Sequence, residues 1–131
     1  MAIFDRTGFI LYVIRYQECV DFYQNKLGLP IMFTSDMLTC FQFGDAYLMV
    51  EFDDETTRTS PEPMDRYRSC LRMNVPNVKE YADRLARHQV EVDYQEHSWG
   101  TVAKFTDPEG NLCAFKDSDK FDQQIRDHLS S

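Results

Sequence analysis

Little in this sequence invites cross-linking, transition-metal capture or a polyanion. Histidine occurs three times and cysteine four times in 131 residues. The cysteines (Cys19, Cys40, Cys70 and Cys113) form no CxxC pair, and each sits among apolar neighbours. Buried free thiols are therefore expected, not disulfides or a zinc knuckle. Bases are outnumbered, with 14 Lys and Arg against 22 Asp and Glu, for a formal net charge of −8. A phosphate backbone requires a basic face, so no nucleic-acid partner is expected. An acidic surface would attract cations or serve solubility alone. No apolar run approaches the length of a membrane span, and Met1–Arg6 lacks the charged-then-apolar order of a leader. No membrane partner and a cytoplasmic location are the corresponding expectations.

What is present suits a folded core. The chain is 43% apolar and 14% aromatic. Its length fits one compact domain, or two half-domains sharing a core.

Phe9–Ile14 is a β-branched and aromatic run that predicts a buried strand. Val20, Tyr23 and Leu27 then recur at helical spacing, with Cys19 and Phe22 widening the face. Gly28 and Pro30 end that helix, predicted over about Gln17–Leu27. Three short strands follow: Ile31–Thr34, Leu38–Phe43 and Ala46–Phe52, parted by Ser35-Asp36 and Gly44-Asp45. Asp53–Arg66, acidic and holding Pro61 and Pro63, is predicted to be an exposed linker or loop.

After the linker the order repeats. Ser69–Val75 reads as a strand. Asn77, with Glu80 three residues on, forms a capping-box pattern for a helix whose buried face is Val78, Tyr81, Ala82 and Leu85. Val90–Tyr94 alternates as a strand with one wet face. Thr101–Thr106 and Leu112–Phe115 flank the turn Asp107-Pro108-Glu109-Gly110-Asn111. Phe121, Ile125 and Leu129 mark a terminal helix over about Asp119–Leu129. The fold class is therefore α+β, with two βαβββ modules (about 8–53 and 69–117, linker 54–68) and a helix over about 118–130. A module of about 50 residues buries too little surface alone, so the two must pack together, within one chain or across a dimer.

Three segments carry a resemblance. Asp21-Phe22-Tyr23 through Leu27-Gly28-Leu29, Phe43-Gly44-Asp45 through Leu48-Met49-Val50-Glu51, and Trp99-Gly100 through Phe105-Thr106-Asp107-Pro108-Glu109-Gly110-Asn111-Leu112 resemble, in order and spacing, the vicinal oxygen chelate superfamily. That group includes glyoxalase I, extradiol dioxygenases and the fosfomycin- and bleomycin-resistance proteins. The resemblance implies cup-shaped mixed sheets around a cleft, and a homodimer. It also implies a divalent metal held by the first and last strand of each module. The four matching positions are Gly8, Glu51, Cys70 and Ala114. Only Glu51 is of the expected ligand type, and a divalent ion needs several oxygen or nitrogen donors. No metal and no other cofactor is therefore expected.

The candidate ligand-binding residues are Phe33, Phe41, Tyr47, Glu51, Arg68, Cys70, Arg72, His97 and Trp99. Glu51 ends an apolar strand, either as a cleft carboxylate able to act as a base or pair with a cation, or where the strand meets water. Trp99, the sole tryptophan, would stack on a ligand or pack half-buried. His97 would serve acid–base work or sit exposed in a loop. Phe33, Phe41 and Tyr47 would wall a pocket or fill a core. Arg68, Cys70, Arg72 and Asn74 share one strand face, as a polar binding surface or a solvated one. Three functions are consistent with this: a metal-free binder of a small cationic or aromatic molecule, like the bleomycin-resistance proteins; a metal-dependent lyase or isomerase like glyoxalase; and a regulatory, partner-binding module.

Overall fold

A computed structural model describes residues 3–53 and 68–130. The predicted linker over Asp53–Arg66 falls, beyond Asp53 itself, outside the described residues. The chain divides into two compact units: Gly8–Cys70, here the first unit, and Met1–Thr7 with Leu71–Ser131, the second.

In the first unit β1 (Arg6–Val13, which starts just ahead of it) leads into α1 (Tyr16–Asp21) and a π-helical turn, Phe22–Lys26. The single helix expected over Gln17–Leu27 is thus two pieces. The break shows in the backbone, where Leu27 N–H donates to Phe22 O at 2.8 Å, five residues back. A one-residue bulge of this kind leaves the apolar periodicity almost unchanged, so spacing alone could not report it. Then come β2 (Ile31–Ser35), β3 (Leu38–Phe43) and β4 (Ala46–Phe52). These strands run in the order β2-β3-β4-β1, antiparallel except that β4 and β1 are parallel. The helical segment lies over one sheet face, closing a core of Tyr16, Phe41, Leu48 and Val50 with Leu11, Val13, Val20 and Tyr23.

The second unit repeats the plan. Its elements are β5 (Ser69–Val75), α2 (Val78–Arg87), β6 (Asp93–His97), β7 (Gly100–Thr106), β8 (Leu112–Asp117) and α3 (Ser118–Ser130). The strand order is β5-β8-β7-β6, with β5 and β8 parallel. Val75, Val78, Ala82, Ala103 and Phe115 form its core beneath α2. The chain's first residues belong here as well. Asp5 N–H donates to Asn74 O at 2.9 Å, the Asp5 carboxylate accepts from Ser118 Oγ at 2.5 Å, and the Phe4 ring lies 6.3 Å from Tyr81 and 6.4 Å from Phe115. The α+β class, the element order and the terminal helix agree with the sequence reading.

One strand is displaced. Expected over Val90–Tyr94, it spans Asp93–His97. Val90 is spent on ending α2: its N–H donates to Leu85 O at 3.1 Å, and Gln89 N–H to Ala86 O at 3.0 Å, with Gln89 at φ 66°. This is a Schellman closure made with glutamine in the left-handed conformation that glycine usually takes. At the other end of α2, Asn77 Oδ1 accepts from Glu80 N–H at 3.1 Å. Among the described residues all four cysteines are free thiols, three of them buried and Cys19 half-buried. No helix among these residues is long and apolar enough to cross a membrane.

Asn77→Ala removes the acceptor from the first turn of α2. It is expected to cost about 1 kcal/mol of stability, read as a lowered urea midpoint at unchanged slope.

Candidate functional site

In each unit the helix takes one face of the sheet. The opposite face is where ligand-directed side chains can stand, and strand register identifies its members.

In the first unit, Phe33, Cys40, Met49 and Ile10 form one row across β2, β3, β4 and β1. All four are buried. The next row is Gln42, Tyr47 and Gly8, and on the other side lie Leu38, Glu51 and Tyr12. Phe33, Tyr47 and Glu51 therefore share this face. Phe41 does not. It pairs with Leu48 and belongs to the helix-side core, its ring 6.1 Å from Tyr23. Glu51 is half-buried where β4 approaches its end. Cys70 is buried, and Arg68 is exposed just before β5, its carbonyl accepting Tyr12 N–H at 2.9 Å.

The row containing Gly8 bears on metal binding. A Cβ built on Gly8 would lie 2.5 Å from both Tyr47 Cδ2 and Tyr47 O. The tyrosine ring, 1% exposed, fills the space that a ligating side chain from Gly8 would need. Ala114, the matching position on β8, offers a buried methyl. Among the described residues no group of three His, Cys, Asp or Glu is placed to hold a metal ion. The side chains present thus do not fit the divalent ion that the fold family implies.

The second unit carries a more polar arrangement. Register aligns Asn74, Lys116, Val102 and Gln95 in one row, and Arg72, Ala114, Lys104 and Asp93 in the next. Lys116 is 3% exposed. Its Nζ donates to Trp99 O at 3.1 Å, lies 4.5 Å from the Trp99 ring centroid and 3.9 Å from Asp117 Oδ2. The indole stacks on His97, with centroids 4.3 Å apart and planes 9° from parallel. His97 Nε2 is in turn 2.8 Å from Gln95 Oε1. His97 closes β6, where the sequence left open an exposed loop position, and Trp99 sits half-exposed in the turn that follows.

Two local features hold this cluster. Gly100, at φ +138°, has no room for a side chain, because Lys116 Nζ occupies that space. Asp117 is fully engaged: Oδ2 accepts Thr101 N–H at 2.5 Å, and Oδ1 accepts Lys120 N–H at 2.8 Å in the manner of a helix N-cap for α3. His97, Trp99 and Arg72 were legible as candidates, whereas Lys116 was missed. Its signal was parity, since it alternates with Ala114 along β8; the expected strand stopped at Phe115, one residue short.

Burial pushes the Lys116 ammonium down to about 8, against the pull of the Asp117 carboxylate, and Arg72 and Lys120 deepen the depression. The unfolded chain therefore holds a proton, above that value, which the folded chain has released, and this group's contribution to stability rises with pH towards the ordinary lysine value. Lys116→Met abolishes that dependence. Taken between about pH 7 and about pH 10, the stability difference between wild type and Lys116→Met should move by about 2–3 kcal/mol in favour of wild type. Urea midpoints of the two proteins at each pH measure it, and a flat difference would show the ammonium to be solvated.

Comparison with known proteins agrees with this architecture. No curated protein sequence matches. Among solved structures, one described as NAD-dependent benzaldehyde dehydrogenase from Legionella pneumophila is similar at TM-score 0.69 and 14% identity, over 85% of this chain and 97% of that one. A Streptomyces coelicolor methylmalonyl-CoA epimerase is similar at TM-score 0.68 and 12% identity, over 89% and 96%. A glyoxalase/bleomycin resistance protein/dioxygenase superfamily member from Vibrio splendidus 12B01 gives 0.61 and 17%, over 86% and 98%. At such identities the likeness is one of fold. The sequence profile of the superfamily matches residues 4–115, which is most of the chain. With the repeated βαβββ units, that match makes this chain a member of the glyoxalase/bleomycin resistance protein/dioxygenase superfamily.

Proposed function

We propose that this chain is a metal-free small-molecule-binding member of its superfamily, taking an aromatic ligand and acting as a homodimer in the cytoplasm. One observation carries the reading: the Tyr47 ring fills the place of a ligating side chain at Gly8. Converting that position to a ligand would require the ring and the adjoining backbone to move, because the clash includes Tyr47 O as well as the ring. Ala114 supplies no donor from the matching strand of the second unit.

Of the cationic and aromatic ligands expected from the sequence, the aromatic one has the better support. Trp99 is 51% exposed, although its indole already stacks on His97. A large aromatic held in fixed orientation at the surface is a stacking platform, and aromatic pairs gain about 0.5–1.5 kcal/mol beyond area burial. Glu51 remains the side chain able to act as a base or to meet a positive group.

Elemental analysis of protein purified without chelator or affinity metal tests the reading directly. Below about 0.1 divalent ion per chain is expected. Near one ion per chain, lost in Glu51→Ala, would replace this reading with the metal-dependent lyase or isomerase.

A further inference from the structure

We propose that Arg72 and Lys116, neighbours on the helix-free sheet face of the second unit, form an oxyanion seat that receives a carboxylate of the ligand. The proposal rests on the binding reading above only in assigning that face to a ligand.

Register brings the two cations together. Arg72 pairs with Ala114 and Asn74 with Lys116 in the parallel ladder between β5 and β8. Residues two apart on a strand share a face, so Arg72 and Lys116 stand diagonally on one surface with the Ala114 methyl beside them. Arg72 Nε is buried and has no hydrogen-bond partner among the described residues. A buried donor left unsatisfied costs about 1–3 kcal/mol, more when charged, and such groups in folded proteins call for a partner.

The local charge does not balance. Lys116 feels one carboxylate, Asp117, and two further cations, Arg72 and Lys120. That is three positive groups to one negative, inside a chain whose formal charge is −8. Asp117 has little left to give: its two oxygens already accept Thr101 N–H and Lys120 N–H, and it stands 3.9 Å from Lys116 Nζ. Buried charges persist when paired, and Lys116 here has a carbonyl, an indole and a distant carboxylate. An incoming oxyanion would satisfy Arg72 Nε and neutralise the excess together. A guanidinium presents a planar donor fork that matches a carboxylate, and an adjacent ammonium adds a point charge. Trp99, which covers Lys116 and is half-exposed, supplies the aromatic neighbour, so the ligand class is an aromatic carboxylate.

The test uses benzoate as probe, with benzyl alcohol as its uncharged counterpart and inorganic phosphate as the competing oxyanion. Ionic strength is held with chloride, and EDTA is present throughout. Emission of Trp99, the sole tryptophan, and the melting temperature report binding. Saturable benzoate binding is expected, with no saturation by benzyl alcohol. Affinity should fall about tenfold in Arg72→Met, the loss that goes with one charge-assisted hydrogen bond. Arg72→Lys, which keeps the charge without the fork, should recover only part of it. Lys116→Met provides a second variant, and Arg72→Met decides alone if that one does not fold. No saturation by benzoate, equal binding of benzyl alcohol, or unchanged affinity in Arg72→Met would each overturn the proposal. Binding of phosphate in place of benzoate would overturn the carboxylate assignment. Because EDTA is present, metal found by elemental analysis would sink the metal-free reading without altering this result.

Discussion

In each unit the first strand pairs in parallel with the last, β1 with β4 and β5 with β8. Two parallel neighbours cannot be joined by a tight turn, so the chain must cross over between them. Here the crossover holds a helix and the two antiparallel strands. The helix needs a face on which to bury its apolar stripe, and it takes one side of the sheet whole. The other side is thereby released from serving the helix. Tyr47, Glu51, Arg72 and Lys116 all stand on helix-free faces for this reason, whereas Phe41, Leu48, Phe115 and Val75 are committed to the helices.

The second unit shows what such a face can hold. An ammonium buried to 3% exposure would ordinarily be excluded from a sheet of this size. Lys116 is tolerated because its neighbours are shaped around it. Gly100 gives up a side chain to make room, Trp99 contributes both its carbonyl and its ring, and Asp117 lies within reach while also capping α3. The arrangement couples the β6–β7 turn to the start of α3 through one side chain. It also leaves the charge unbalanced, which ties this strut to a ligand-directed role.

Most of the fold was legible because its elements obey simple periods. The strands Leu38–Phe43, Ala46–Phe52 and Ser69–Val75 were delimited by turn residues and matched to the residue. Errors arose where the deciding interaction was not periodic. The π-helical turn at Phe22–Lys26 adds a residue without disturbing the apolar face, and Val90 was claimed by a helix-ending hydrogen bond that alternation cannot report. Of the candidate site, Glu51 and Tyr47 could be placed on one face by parity. Phe41 could not be separated from Phe33, because β2 changes register between Ile31 and Phe33. Such a bulge moves one strand's residues to the opposite face relative to its partner, and nothing local in the sequence marks it.

The two helix-free faces also differ in how they answer the loss of a ligating side chain. Removing a large buried group leaves a cavity that costs stability in proportion to its volume, unless a neighbour moves in. At Gly8 the neighbour is Tyr47, and the closeness of the ring and its backbone means that glycine and tyrosine depend on one another. A return to a ligating residue at position 8 would require a simultaneous change at position 47. At Ala114 the adjoining residue on the same face of β8 is Lys116, and the register partner on β5 is Arg72. Positive charge thus stands around the position where the family would hold a metal ligand. A divalent cation would be repelled there and an anion attracted. Apolar filling in one unit and positive charge in the other both act against a metal, and the positive charge also selects the sign of what binds instead.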